Sequence, residues 1–234
     1  MIWIIIAVVA FVILICFLLA IANDSQNWFL ERYRKMNEIQ VETFQSSLEF
    51  VLVLNNRFFK NKLKILRTEK QYYDAYSRGR VILSEDTLKN NSLASYTIIA
   101  HELGHAQQDI EGNTLKSLEI LRILGRIFGA LLFPLLIAGV VLTLIGESLF
   151  AWGIGLLCGG ILILLLSLFI KLKTISIEKD ASKRAINFLK EFLDEKQLVL
   201  CRKFLNDAKR TYWADFLRVV LAWTFMTKKT KLFN

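Results

Sequence analysis

The 234-residue chain has only two histidines, three cysteines and one proline. Cys16, Cys158 and Cys201 are scattered and two of them fall inside apolar runs, so they supply neither a disulfide framework nor a metal-ligand spacing. A reducing compartment is consistent with that pattern. Internal repeats and low-complexity linkers are absent. Charge is missing from long stretches: Ile2 to Ala22 carries none, and Ile127 to Ile170 carries only Glu147. Together with a hydrophobic fraction of 54%, this argues against an ordinary soluble globule.

About 20 apolar residues cross the hydrocarbon core as a helix, so these runs predict an integral membrane protein. Ala20-Ile21-Ala22 resembles a signal-cleavage site, but nothing basic precedes the run and it exceeds the usual apolar length, which favours a retained anchor at 2–22. The second run is too long for one span and breaks at Gly146-Glu147-Ser148, predicting a hairpin of helices at about 127–145 and 149–170. Pro134 is expected to kink the first of these, and Gly153, Gly155, Gly159 and Gly160 to let the second approach a neighbour closely.

Basic residues set the orientation. Arg32, Arg34 and Lys35 follow the anchor; Lys116, Arg122 and Arg126 precede the hairpin; Lys171, Lys173, Lys179, Lys183 and Arg184 follow it. All large polar segments are therefore expected on one face, the cytoplasmic one, at 23–126 and 171–234. This bias, with anionic lipid nearby, accounts for the +9 net charge. No basic groove interleaved with aromatics points to nucleic acid.

Within 23–126, the stretch "NEIQVETFQSSLEFVLVLNN" has helical spacing, with Ile39, Phe44, Leu48, Val51 and Leu52 near one face. "KLKILRT" (62–68) and "RGRVILS" (78–84) read as short strands, the latter with Val81 and Leu83 on one side. Asn91 or Ser92 is placed to cap a helix over about 93–109, and a further helix at about 114–126 leads into the hairpin. After Lys171 the pattern is helical to about Leu193, then at about 196–208 and 210–227. The fold class is thus mainly α: three transmembrane helices, a fourth at 210–227 as the alternative, and a small α+β catalytic region.

Both histidines lie in "IIAHELGHAQQD" (98–109). On a helix, His101 and His105 are one turn apart on the same face and can reach one zinc ion. Glu102, beside the first, is placed to take a proton from water and return it to a leaving amine. A solvent-facing histidine pair is the bland alternative; the His-Glu-x-x-His pattern favours the zinc site. Gly104 leaves room for close packing against this turn.

A catalytic zinc takes a third protein ligand. Positions 108 and 111 are Gln and Glu, which excludes the elongated histidine-rich pattern, and the thermolysin-like position near 125 is Gly. On the helix after the hairpin, Glu178 shares a stripe with Ala181, Ala185, Leu189 and Phe192, while Asp180 falls opposite. A carboxylate heading a buried stripe is costly unless coordinated or paired. A zinc ligand and a salt bridge both satisfy that condition.

"QYYDAYSRGRVILSE", "SLASYTIIAHELGHAQQ" and, after two spans, "EKDASKRA" resemble the YugP-type zinc-dependent membrane neutral metallopeptidases. The likeness covers most of the chain, including the anchor and the closing "TYWADFL", and extends in layout to HtpX-type and CAAX prenyl proteases. It implies a zincin fold with His101, His105 and Glu178 as Zn2+ ligands and Glu102 as general base. It also places a Thr-Tyr pair at Thr211-Tyr212, making Tyr212 a candidate oxyanion donor; an aromatic at the membrane interface is the commoner explanation. The HtpX-type pattern has an aspartate four residues past the glutamate, where this chain has Ser182. A hydroxyl can make the same bond to a ligand histidine, more weakly.

The expected function is that of a membrane-embedded zinc endopeptidase, cutting protein or peptide substrates beside the cytoplasmic face of the cell membrane. The strand at Arg80–Ser84 is expected to be the edge that pairs with an extended substrate. The alternative is a zinc-binding pseudo-protease serving as a membrane scaffold or adaptor. For 210–227, a full span sends Lys228, Lys229 and Lys231 to the outer face, against the charge rule, so an interfacial helix is favoured. Oligomeric state has no signature in the sequence.

Overall fold

The computed structural model describes residues 20, 24–70, 73–112 and 114–221. The expected anchor at 2–22 lies outside them except for residue 20, as does the end of the last helix at 222–227. The chain divides into two compact units, one of Met1–Ala22, Ser117–Ser176 and Trp213–Thr227, the other of Asn23–Lys116, Ile177–Tyr212 and Lys228–Asn234.

The second unit begins with helix α1 at 24–38, whose Phe29 stacks on Phe204 with ring centroids 5.1 Å apart. The chain then runs extended and bridges the segment before the histidine helix: Val41 N donates to Asn91 O at 2.9 Å and Leu93 N to Ile39 O at 2.8 Å. Helix α2, Ser47–Phe59, starts late because Ser46 is its N-cap, accepting from Glu49 N. This corrects the expected helix over the whole stretch from Asn37: Ile39 and Phe44 precede it. The inward face is Phe50, Val51, Leu54 and Asn55, while Leu48 and Leu52 are exposed. Asn55 then clips the following turn, donating to Leu63 O at 2.9 Å and accepting from Leu63 N at 3.3 Å.

Strands β1 (Lys64–Thr68), β2 (Ala75–Ser77) and β3 (Arg80–Ser84) form a sheet in the order β1-β3-β2, β1 parallel to β3 and β2 antiparallel to it. Val81 and Leu83 are fully buried. The β2–β3 turn needs positive φ at both central residues, and Arg78 (45°) and Gly79 (80°) supply it. The expectation that Arg80–Ser84 is an edge is overturned. The strand is central, its backbone groups engaged on both sides by β1 and β2. The three-residue strand β2, too short to show alternation, is what displaces it from the edge.

Helix α3 is the short turn Glu85–Lys89, and α4 is Leu93–Gly112. Ser92 caps α4, accepting from Ser95 N at 3.2 Å; Asn91 instead donates to Val41 O and Phe44 O. Phe50 and Tyr96 stack at 4.1 Å inside a core that also includes Leu54, Ile99 and Leu189.

The remaining helices are long: α5 (Thr114–Ile145), α6 (Glu147–Leu189) and α7 (Glu195–Leu221). Gly146 alone separates α5 from α6, at the expected break, and Pro134 sits within α5 without ending it. No break occurs between 208 and 210; α7 passes straight through. Two helices, Glu119–Ile145 and Glu147–Leu189, are long and apolar enough to cross a membrane. In the first unit they pack through glycine, where a Cβ on Gly139 falls 2.8 Å from Leu157 Cγ and one on Gly153 overlaps Thr143 Oγ1. Gly160 does the same against Leu136, whereas a Cβ on Gly155 or Gly159 meets no atom within 4 Å among the described residues.

Candidate metal centre

The centre is assembled from α4 and α6 within one unit. Helical spacing puts His101 and His105 on one face, their ring centroids 4.8 Å apart. Seventy-three residues past His105, Glu178 enters from α6 with its side chain 1% exposed, and its Oε2 lies 3.2 Å from the Nε2 of each imidazole. The helices meet this closely because position 104 has no side chain: a Cβ there overlaps the Ala181 carbonyl oxygen. Ala181, Ala185 and Leu189 continue the buried stripe below Glu178, while Lys179 and Lys183 face out. Phe192 lies beyond the helix end, half-buried.

Burial pushes the Glu178 carboxyl up, but its contacts with both imidazoles outweigh this and hold it well below the usual carboxylate range. Burial likewise opposes charge on His105, and the Glu178 contact reverses it, lifting the imidazole to about 9. Both ring nitrogens of His105 face oxygen: Nε2 faces Glu178, and Nδ1 lies 3.0 Å from Gln108 Oε1. An imidazolium donates to both, whereas a neutral imidazole carries one proton and donates to only one. A cation held by the Nε2 atoms and Oε2 satisfies all three at once.

The geometry of zinc agrees. Tetrahedral coordination at about 2.0–2.1 Å separates neighbouring ligand atoms by about 3.3–3.4 Å. Two of the three separations are 3.2 Å, and all three ligand atoms lie within 4.8 Å of one another. His101 is the more exposed imidazole, and its Nδ1 is buried without a hydrogen-bond partner among the described residues.

Glu102 follows His101 and is buried. A second acid stands near it. Burial raises Asp74 to about 6, against hydrogen bonds from Ser84 N at 2.8 Å and Thr87 Oγ1 at 2.9 Å, and the Glu102 charge adds to the rise. Tyr212 lies half-buried on α7. Among the described residues Ser182 makes no bond to a histidine: its hydroxyl donates to Glu178 O at 2.8 Å, one turn back on its own helix. The side chain that does face a histidine is Gln108, which sequence reasoning weighed only as a failed ligand. Its position three residues after His105, on the same face, was the available signal.

A family model described as "Putative neutral zinc metallopeptidase" matches residues 8–227. No curated protein and no solved structure matches the chain. With that match running over nearly the whole sequence and through every residue of the centre, the chain belongs to the neutral zinc metallopeptidase family, whose cofactor is Zn2+.

Proposed function

We propose that the protein is a membrane-embedded zinc endopeptidase with His101, His105 and Glu178 as metal ligands and Glu102 as general base. The observation that carries this is the meeting of two imidazoles from α4 and one buried carboxylate from α6 at 3.2 Å, beside a further glutamate. When bound, zinc polarises the scissile carbonyl and brings the pKa of water to about 7. The Glu102 carboxylate takes a proton from the attacking water and delivers it to the leaving nitrogen. Tyr212 is the candidate donor to the developing oxyanion.

Since β3 is central, an extended substrate has to use another strand. Among the described residues β2 is an outer strand that packs against α4, and Asp74 precedes it directly. A peptide added alongside Ala75–Ser77 extends the sheet at a strand that contacts the histidine helix.

Support for a membrane location comes from the two long apolar helices and from the exposure of their large side chains, such as Leu144 at 79% and Trp152 at 73%. The basic residues after α6's apolar stretch favour a cytoplasmic site. The test is proteolysis of a membrane-protein substrate by the purified chain. Glu102→Gln is expected to lower the rate by about 10²–10⁴ with zinc retained. Parental activity in that variant overturns the mechanism, and an inactive parent that binds zinc favours a scaffold.

A further inference from the structure

A histidine that ligates through Nε2 keeps its single proton on Nδ1, and the partner of that N–H fixes both tautomer and ring orientation. At His105 the atom in this position is Gln108 Oε1, at 3.0 Å. The Gln108 side chain is buried, and a carboxamide can present either its oxygen or its nitrogen. Here the nitrogen is engaged from α6, donating to Ile177 O at 2.9 Å and to Asp180 Oδ2 at 2.8 Å. Turning the amide over sets its oxygen against those two acceptors and removes both bonds. The oxygen therefore faces His105. Asp180 is itself held by Arg184 Nε at 2.7 Å, and Arg184 reaches back to Glu111 Oε2 on α4 at 2.6 Å.

We propose that Gln108 is the positioning residue for His105, holding its proton on Nδ1 so that the Nε2 lone pair is free for zinc, with Asp180 locking the amide's orientation. This fills the place left by Ser182, whose hydroxyl is spent on its own helix. The role rests on His101, His105 and Glu178 being the zinc ligands.

The experiment uses the full chain in detergent: zinc affinity by competition with a chromophoric chelator, and ring N–H exchange in zinc-loaded, 15N-histidine-labelled protein. With two histidines in the chain, the ring signals are few enough to assign. The parent is expected to show a slowly exchanging ring N–H. Gln108→Met is expected to lose that signal and to bind zinc about 10- to 100-fold more weakly. Affinity within twofold of the parent, or a retained slow N–H, overturns the role of Gln108 and leaves the zinc site standing. A parent that binds no zinc overturns the site itself. Should Gln108→Met not fold, the parent spectrum decides, because rapid exchange of both ring protons contradicts the assignment.

Discussion

Helix α6 belongs to both units, and its two ends treat apolar side chains in opposite ways. In Glu147–Ser176, Phe150, Trp152, Ile161 and Leu162 are all more than half exposed. In Ile177–Leu189 the apolar residues Ala181, Ala185 and Leu189 are fully buried and the lysines face out. One end is apolar around its circumference; the other has a buried stripe and a wet face. Such a change along a single helix is the pattern expected if, as proposed, the first stretch lies in hydrocarbon and the second in water. Glu178 sits at the start of the second, where a carboxylate can be buried because other groups compensate its charge.

The contrast breaks most sharply under a charge. Leu162→Arg, in the exposed apolar stretch, is expected to cost about 2.5–3.5 kcal/mol of membrane insertion, seen as lost yield in the membrane fraction. Leu48→Arg, on the exposed face of α2, is expected to leave that yield unchanged. Equal tolerance at the two sites contradicts the reading of α6.

Acidity sharpens the comparison inside the unit that holds the candidate metal centre. Asp74 is raised in the fold from 3.8 to about 6, so its protonated form is favoured there; the contribution is full below about pH 4 and lost as pH rises through 6. The span of that loss is on the order of 3 kcal/mol. Asp74→Asn keeps an acceptor for Ser84 N and cannot ionise. Its melting temperature relative to the parent is therefore expected to rise between pH 4 and 7, and a pH-independent difference contradicts the buried-acid account.

Glycine separates the regions by a smaller margin. Gly104→Ala forces a methyl onto the Ala181 carbonyl and is expected to cost about 1–3 kcal/mol and to weaken zinc binding. Gly155→Ala meets no atom within 4 Å among the described residues and is expected to stabilise its helix by up to about 1 kcal/mol. Thermal midpoints of the two variants in detergent check both signs.

Much of the site was legible because its chemistry is local. His101, Glu102 and His105 stand out by helical spacing; Glu178 heads an apolar stripe that left a ligand and a salt bridge both open, and the family resemblance is what singled it out as the third ligand. Gly104 signalled close packing, and the structure supplies the partner, Ala181. What escaped depends on long-range pairing or competition. Strand β2 is three residues long, so no periodicity marks it, yet it decides that β3 is central. Ser182 stands where the HtpX-type pattern has an aspartate, but a helical serine can donate to the carbonyl one turn back, and that nearby acceptor won. Gln108 is read as an orienting residue only once Ile177 O and Asp180 are seen to hold its nitrogen. Leu48 and Leu52 misled because the Ser46 cap, not apolar spacing, sets where α2 begins.

The central claim is that a carboxylate beyond the hairpin closes a metal site opened by two histidines. Metal analysis of purified parent and Glu178→Ala tests it most directly. About one zinc per parent chain, with affinity collapsing in Glu178→Ala while the fold survives, is the expected result; zinc held equally by both proteins contradicts it.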